Sequence, residues 1–394
     1  MRHLDDIDVG GRPVLVRVDF NVPMKDGVIS DDTRIRAALP TIENLRRRGA
    51  RVILASHLGR PKDGPDPALS LAPVAKRLGE LLGSDVAFAT DVVGPSAQAA
   101  VAALEPGDVL VLENVRFEPG ETSNDEALAT ALGALADVYV DDAFASAHRA
   151  HASTEGVTHH VKEVAAGLLL EREVTHIRAI LANPERPLVA ILGGAKVTDK
   201  IGVIRRFLEL ADTILIGGAM CFPFFAAQGH STGASLCEEA GLEPAREALE
   251  LAQSSRATLR LPVDLGLAER MDEGAPRRDS DGVDVPDGWI GLDIGPRTAA
   301  AYAEEIAKAG TIFWNGPMGV FELESFASGT KAVAEAVAAA KGTSVAGGGD
   351  SVAALTMLGL EGSVSHLSTG GGATLELIEG RELPGVAALE AAAG

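Results

Sequence analysis

Cysteine is scarce in this sequence: the 394 residues contain two, Cys221 and Cys237, and their spacing fits no metal-binding or redox motif. A disulfide framework is therefore not expected, and a pair of buried thiols in a reducing compartment is the favoured interpretation. Long apolar runs are lacking too, since none reaches the ~18 residues of a membrane span. The N-terminus has no apolar segment of the kind found in signal peptides. These absences predict a cytoplasmic protein without a membrane partner.

Positive charge is also in deficit. The sequence has 35 Lys and Arg against 56 Asp and Glu, a formal net charge of −21. Nucleic acids and anionic membranes bind basic faces, so neither is expected as a main partner. An anionic ligand would need cationic side chains that are gathered locally against the overall field.

What the sequence does contain is an alternation of short β-branched runs with longer Ala- and Leu-rich amphipathic stretches, typical of a parallel α/β fold. Strands are predicted at 14–18, 52–55, 109–112 and 138–140, and again at 188–192, 213–216, 258–261, 311–314 and 343–346. The polar stretch 269–288 is predicted to be a surface excursion. A chain of 394 residues fits two domains better than one.

The first predicted helix follows the first strand. Asp31 or Asp32 is its expected N-cap and Gly49 its expected end. Pro40 lies inside the apolar stripe and argues against an unbroken helix.

A second helix, predicted at about 164–182, connects the two halves, and Asn183 followed by proline ends it. No flexible Gly/Ser linker separates the halves. We therefore expect two Rossmann-like parallel-sheet domains of repeated β–α units, residues 1–170 and 171–382, joined by a helical hinge.

Polar residues cluster where the first-half strands end, which is where open parallel sheets bind ligands. The segments at these strand ends comprise Asp19, Phe20, Asn21, His57, Leu58, Gly59, Arg60, Arg116 and Arg149, and Arg34 lies at the start of the first helix. Arginine binds phosphate and carboxylate through a planar fork and stays charged. Any one of these arginines could instead pair with an acid on the surface. Three of them at strand ends, with Arg34 added from the first helix, favour an anion of two or more charges.

The second half carries glycine at nearly every strand end: Gly193-Gly194, Gly217-Gly218, Gly316, residues 347–349 and residues 370–372. Glycine lets backbone N–H groups approach phosphates, although each loop alone could be a tight turn. Neither G-x-x-x-x-G-K-[ST] nor G-x-G-x-x-G is present, so a nucleotide would bind here in another arrangement.

Three charged residues accompany these loops. Lys196 and Lys200 would share one face if a helix starts there. Asp350 could reach a magnesium ion or could serve as a helix N-cap.

Taken together, nine segments in register resemble phosphoglycerate kinase from about residue 3 to residue 390. They are RVDFNVP (17–23), SHLGRP (56–61), LENVRF (112–117), AFASAHRA (143–150), GGAKVTDK (193–200), GLDIGP (291–296), WNGPMGVFE (314–322), GGGDS (347–351) and STGGGA (368–373).

The resemblance implies reversible phosphoryl transfer between ATP and 3-phosphoglycerate, giving ADP and 1,3-bisphosphoglycerate, with Mg²⁺, in glycolysis and gluconeogenesis. It assigns the arginine-rich domain to phosphoglycerate and the glycine-rich domain to the nucleotide. It also implies that the tail, residues 383–394, packs back on the first domain, and that the protein is a monomer.

Residue by residue, the resemblance assigns the ten strand-end and helix-start residues above to phosphoglycerate, with Arg34 also catalytic. Its nucleotide contacts correspond to Lys200, Gly291, Glu322, Gly348, Gly349, Asp350 and Ser351. Lys196 and the N–H groups of Gly371 and Gly372 correspond to the group that steadies the transferring phosphoryl, and Asp350 to the metal-associated acid. The acceptor is a carboxylate, so no general base is expected.

Two segments depart from the family pattern. Asp141-Asp142 stands where the family usually has Asn-Asp, and residues 220–227 lack its usual threonine and lysine. The competing hypotheses are a Rossmann-type dehydrogenase, disfavoured by the missing G-x-G-x-x-G, and a non-catalytic nucleotide-binding protein, disfavoured because Arg34, Lys196 and Asp350 are all present.

Overall fold

The computed structural model describes residues 1–25, 27–62 and 64–393. The chain divides into two compact units. Unit 1 comprises Met1–Thr175 and Glu382–Gly394, and unit 2 comprises His176–Arg381.

Unit 1 is built around a six-stranded sheet whose order is β5-β6-β4-β1-β7-β8, with every pairing parallel. Its elements are β1 Pro13–Arg17, β2 Met24–Lys25, β3 Val28–Ile29, α1 Thr33–Arg47, β4 Arg51–Ala55, α2 Ala72–Leu82, β5 Ala87–Phe88, α3 Pro95–Ala103, β6 Val109–Val111, α4 Glu126–Gly133, β7 Val138–Asp141, β8 Glu163–Ala166 and the first half of α5 Leu168–Ala182. The strands β6 and β7 are buried along their whole length, as expected for a parallel sheet covered on both faces.

Helix α1 runs through Pro40 without a break. Proline removes one backbone N–H donor from the helix interior. Pro40 is exposed, whereas Ile35, Ile42 and Leu45 on the other side of the helix are fully buried. Burial of this apolar stripe on the core outweighs the lost hydrogen bond, so the argument against an unbroken helix was wrong.

The helix predicted at about 164–182 begins later than the sequence suggested. Residues Glu163–Ala166 form β8 and pair in parallel with β7 at the sheet edge. Pairing with an existing strand decided the conformation of this short Val-Ala segment, which has no strong periodicity of its own. Helix α5 then starts at Leu168 and contains the boundary between the units.

Unit 2 has a second six-stranded parallel sheet, of order β11-β10-β9-β15-β16-β17, and a small antiparallel sheet β13-β12-β14. Its elements after α5 are β9 Leu188–Leu192, α6 Ile201–Leu210, β10 Thr213–Ile216, α7 Cys221–Ala227, α8 Leu242–Ser254, β11 Thr258–Arg260, β12 Leu265–Ala268, β13 Arg278–Asp279, β14 Ile290–Ile294, α9 Pro296–Ile306, β15 Thr311–Asn315, α10 Ser328–Ala339, β16 Thr343–Gly347, α11 Gly349–Met357, β17 His366–Ser368 and α12 Gly372–Ile378. The last helix, α13 Pro384–Ala391, belongs to unit 1.

These two parallel sheets with alternating helices confirm the predicted α/β class. The central strand β9 is a continuous buried run, Leu188–Leu192. In the described ranges, no helix combines the length and the apolarity that crossing a bilayer requires.

Candidate active site

The strand-end residues of unit 1 lie beside one another because β6, β4, β1 and β7 are consecutive in the sheet. Asp19, Phe20 and Asn21 follow β1, and His57, Leu58 and Gly59 follow β4. Arg116 lies in a short 3₁₀ turn, Val115–Phe117, after β6, and Arg149 follows β7. All these loops therefore open at the carboxyl edge of the same sheet.

Side-chain to backbone hydrogen bonds hold these loops together. The backbone N–H of Phe20 donates to Ser56 Oγ at 2.8 Å, and that of Gly59 donates to Asn21 Oδ1 at 2.9 Å. Buried Asn114 accepts from the N–H of Leu58 at 3.1 Å and donates to its carbonyl at 2.7 Å. The loop after each strand is thus fixed by a residue of its neighbour, which orders the site before any ligand arrives.

Arg34 is held by Asp19. One of its terminal guanidinium nitrogens donates to Asp19 Oδ2 in a charge-assisted hydrogen bond. The Asp19 side chain is only 10% exposed, whereas that of Arg34 is 39% exposed. The guanidinium is therefore anchored on one side and open to solvent on the other.

Arg60, Arg116 and Arg149 line a cavity of about 620 Å³. Burial lowers the pKa of the Arg116 guanidinium, and the nearby charges of Arg17, Arg149 and Arg60 lower it further. Such a group of cations repels itself, so a multiply charged anion among them would be stabilising. The structure brings together the arginines that the sequence placed at strand ends.

His57 is buried behind these arginines, with 7% of its surface exposed. Burial lowers its pKa well below the ordinary value, and the charges of Arg17, Arg116 and Arg34 act in the same direction. Its ring is neutral at pH 7, so it can take part in hydrogen bonds without adding charge.

Arg17 was missed as a site residue by the reasoning from sequence. It is the last residue of β1, it is 1% exposed, and its guanidinium contacts His57, Ser153 and the carbonyl of Val18. A charged residue inside an apolar strand was the available signal, since an arginine is almost never fully buried without partners.

Unit 2 contains a cavity of about 720 Å³, and three of the predicted nucleotide residues line it: Gly291, Glu322 and Asp350. Its other walls are mostly apolar and come from α7, β12, β14 and the loops around them, including Phe222, Leu236, Leu265, Met271, Ile290, Leu292, Met318 and Val320. This combination of apolar walls and a few polar groups suits a planar base. The sequence did not point to the apolar walls, because isolated apolar residues carry no pattern of their own.

Lys200 is half-buried beside the glycine loops. Its ammonium group donates to the carbonyls of Gly193 and Asn315, the latter at 2.9 Å. Burial lowers its pKa to about 8, while the charges of Asp350 and Asp199 raise it. A cation held in this way is available to a phosphate near the same loops.

Lys196 is exposed and lies in a loop, because α6 begins only at Ile201. The condition under which Lys196 and Lys200 would share a helical face is therefore not met. The two lysines differ in burial instead, since Lys196 faces solvent. Hydrogen bonds from Thr198 and the charge of Lys196 both lower the pKa of the Glu238 carboxyl.

The glycine loops open two short helices. Gly348, with φ of +90°, precedes α11, whose first turn contains Gly349, Asp350 and Ser351. The hydroxyl of Ser351 accepts the N–H of Gly316 at 2.6 Å, which joins this turn to the loop after β15. Asp350 is exposed and lies in the first turn of α11, whereas the N-cap position is occupied by Gly348.

Gly371, with φ of +51°, precedes α12, and Gly372 is its first residue. Neither glycine is among the described residues that line the 720 Å³ cavity. Left-handed backbone at Gly371 is a conformation that a side chain would strain.

The donor set at Asp350 fits magnesium. Mg²⁺ keeps several waters and binds one or two carboxylates plus substrate phosphates, so it needs no cage of protein ligands. Asp350 offers one exposed carboxylate at the cavity. The described residues contain no group of three or more His, Cys, Asp or Glu side chains that could hold a metal alone.

Comparison with known proteins decides the family. The sequence model described as phosphoglycerate kinase matches residues 4–381. The chain belongs to the phosphoglycerate kinase family. Proteins named phosphoglycerate kinase from Rubrobacter xylanophilus and Moorella thermoacetica are 57% identical over 388 residues and 55% identical over 386 residues, with 98% of each chain covered.

Solved structures agree with this phosphoglycerate kinase assignment. The structure of phosphoglycerate kinase from Coxiella burnetii has a TM-score of 0.90 and 42% identity, covering 100% of both chains. That of phosphoglycerate kinase from Pyrococcus horikoshii has a TM-score of 0.88 and 35% identity, covering 100% of this chain and 99% of that one. The family match extends over both units and includes both sites described above.

Proposed function

We propose that this member of the phosphoglycerate kinase family transfers a phosphoryl group reversibly between ATP and 3-phosphoglycerate, with the acid bound in unit 1 and the nucleotide in unit 2. The family assignment makes the chain a kinase of glycolysis. The assignment of the acid to unit 1 and the nucleotide to unit 2 rests on the difference in charge between the two sites. Arg60, Arg116 and Arg149 surround one cavity, and apolar side chains with glycine loops surround the other.

In unit 1, the arginines would bind the phosphate of 3-phosphoglycerate through their forks. Arg34, anchored by Asp19, would turn its open side to the transferring phosphoryl group. Neutral His57 would donate a hydrogen bond to the substrate rather than take its proton. No base is required, because a carboxylate is already ionised at pH 7 and attacks as it stands.

In unit 2, the apolar cavity would hold the base, and Lys200 with the N–H groups at Gly348 to Ser351 would hold the phosphates. Glu322 would hydrogen-bond the sugar at the cavity rim. Lys196 and the N–H groups of Gly371 and Gly372 would neutralise the oxygens of the transferring group. Asp350 would hold Mg²⁺, which supplies charge neutralisation on the phosphates when it is bound.

The reaction forms a bond from phosphorus to a carboxylate oxygen while the bond from phosphorus to the ADP oxygen breaks. Water would also accept the phosphoryl group, so the site has to exclude it. We propose that binding of both ligands closes the two units about α5. Small-angle scattering should show compaction only with both ligands present, and unchanged scattering would contradict closure.

We further propose a cytoplasmic monomer that acts on small molecules only. The test of the reaction is turnover of 3-phosphoglycerate with ATP and Mg²⁺, coupled to glyceraldehyde-3-phosphate dehydrogenase and followed by loss of NADH. The proposal expects turnover that requires both substrates and stops with a chelator. No turnover with either ATP or GTP would contradict it and favour a non-catalytic nucleotide-binding protein.

A further inference from the structure

A buried chain of three polar residues lies beneath His57. The hydroxyl of Ser153 donates to Glu121 Oε1 at 2.6 Å, and the backbone N–H of Ser153 donates to Glu121 Oε2 at 2.9 Å. Arg17 Nε donates to Ser153 Oγ at 2.7 Å, and Arg17 Nη2 lies 3.1 Å from His57 Nδ1. Glu121, Ser153 and Arg17 are each at most 1% exposed. We call these three residues and His57 the Arg17 network.

The direction of each hydrogen bond in the Arg17 network follows from its donors. A guanidinium has only donors, so Ser153 Oγ accepts from Arg17, and the hydroxyl hydrogen is left for Glu121. For the same reason His57 Nδ1 must accept from Arg17. A neutral imidazole that accepts at Nδ1 carries its proton on Nε2. In the described part of the chain Nε2 has no hydrogen-bond partner, so its N–H is left to donate to an anion.

Glu121 is also a counter-charge beneath the arginines. The negative charge of Glu121 raises the pKa of Arg116, against the effect of the neighbouring cations. Burial raises the pKa of Glu121 itself, and the charges of Arg17 and Arg116 partly offset that rise. His151 Nδ1 lies 3.7 Å from Glu121 Oε1, but burial and the nearby cations lower the pKa of His151 to about 4, so it stays neutral at pH 7. Arg17 is therefore the charged partner that Glu121 balances.

We propose that Glu121, Ser153 and Arg17 are positioning residues that fix His57 in the Nε2–H form and orient it as a donor to 3-phosphoglycerate. This inference rests on the proposed function for the identity of the substrate. The state of the imidazole is a property of the free protein, however, and it can be measured without substrate. Loss of the Ser153 hydroxyl should remove the acceptor of Arg17 Nε and one of the two hydrogen bonds to Glu121, so that Arg17 can shift and His57 can sample both neutral tautomers.

The experiment is long-range ¹H–¹⁵N correlation NMR of the full chain labelled with ¹⁵N-histidine, with His57 assigned through the His57→Gln variant. The wild type should show His57 protonated at Nε2 only. Ser153→Ala should show averaging between the two tautomers, and Glu121→Gln a partial change in the same direction. An unchanged His57 signal in both variants, or a wild-type ring protonated at Nδ1, would overturn the proposal.

Steady-state kinetics give the second readout. Ser153→Ala should raise the KM for 3-phosphoglycerate by about twofold, if the only effect is an equal share of the wrong tautomer, to about tenfold, if the hydrogen bond from His57 to the anion is lost, and leave the KM for ATP unchanged. Ser153→Thr restores the hydroxyl and should restore both the tautomer and the KM. Thr158→Val is the matched control, since it removes a buried hydroxyl whose partner in the described part of the chain is the Glu155 carbonyl of its own turn.

The outcomes separate this inference from the proposed function. An inactive wild type with a fixed Nε2–H ring contradicts the function and supports the network. An active wild type whose His57 signal and KM are unchanged by both Ser153→Ala and Glu121→Gln contradicts the network and leaves the function standing.

Discussion

The carboxylate of Asp142 accepts the backbone N–H of Leu169 at 2.8 Å. Leu169 lies in the first turn of α5, where backbone N–H groups have no partner within the helix. Thr41 Oγ1 accepts the N–H of Leu168 at 3.0 Å in the same turn. The end of β7 and the side of α1 therefore cap the helix in which the boundary between the units lies.

The neighbouring Asp141 accepts no N–H group of α5 in the described structure. Its Oδ1 accepts the N–H of Ala143 at 2.9 Å, and its Oδ2 is buried without a hydrogen-bond partner among the described residues. Burial raises the pKa of Asp141 to about 6, although the Ala143 hydrogen bond and the charge of Arg17 oppose this. Asparagine, which the sequence resemblance leads us to expect at this position, would carry no charge to bury.

We predict that Asp141→Asn stabilises the protein at pH 8 and makes its stability less dependent on pH. A carboxyl whose folded pKa is raised from 3.8 to about 6 contributes stability below the unfolded pKa and loses it as pH rises through 6. The loss is at most about 3 kcal/mol. Because the loss spans pH 3.8 to about 6, urea unfolding at pH 5 and at pH 8 measures about half of it.

Asp142, whose pKa is raised to about 7 by burial, adds a similar dependence at slightly higher pH, so some dependence should remain in the variant. The exposed Asp6→Asn is the control for loss of a carboxyl elsewhere in unit 1. Asp141→Asn that is less stable than the wild type at pH 8 would show that the carboxylate has a stabilising partner.

Lys200 gives a prediction about nucleotide binding. Its pKa of about 8 means that the amine is partly neutral at pH 8. Nucleotide phosphates favour the charged form, so binding of ADP should take up protons near pH 8, and affinity should fall as pH rises further. Calorimetry in two buffers of different ionisation enthalpy measures the uptake. Lys200→Met should abolish it; equal uptake in that variant would place the titrating group elsewhere.

Gly291→Ala tests whether the 720 Å³ cavity holds the nucleotide. A Cβ at this position would lie 2.4 Å from Cζ of Phe222, which is buried and cannot move away freely. Displacing the ring costs about 1–3 kcal/mol and reshapes the cavity wall, so the KM for ATP should rise by about tenfold or more. The KM for 3-phosphoglycerate should not change.

The matched control for this glycine is Gly282→Ala, where a Cβ meets nothing within 4 Å. It should leave both KM values as they are. A Gly291→Ala enzyme with normal KM for ATP, and with unfolding unchanged, would move the nucleotide out of this cavity.

Much of the fold could be predicted from the sequence because parallel strands are short, apolar and regularly spaced. The strand predicted at 188–192 has the observed bounds, and that predicted at 138–140 differs by one residue. The short strands β5 and β8 were missed, because two to four residues carry no periodicity and become strands only by pairing with β6 and β7.

The predictions for individual residues depended on a different kind of information. Arg60 and Arg149 could be placed in one site because topology brings strand ends together. The proposed roles of Ser153 and Glu121 could not be predicted in this way, because both residues lie away from strand ends. Ser153 bonds to Glu121, 32 residues away in sequence, and to Arg17, 136 residues away. Such partners become visible only when the chain is folded.

The measurement that tests the account most directly is the coupled assay on the wild type, Arg34→Ala and Lys196→Ala. Removal of a group that stabilises transition-state charge lowers kcat by about 10²–10³-fold. The account predicts losses of this size in both variants, with a folded protein and smaller changes in either KM. Wild-type turnover that survives both substitutions would contradict the proposal that the two units each contribute a cation to phosphoryl transfer.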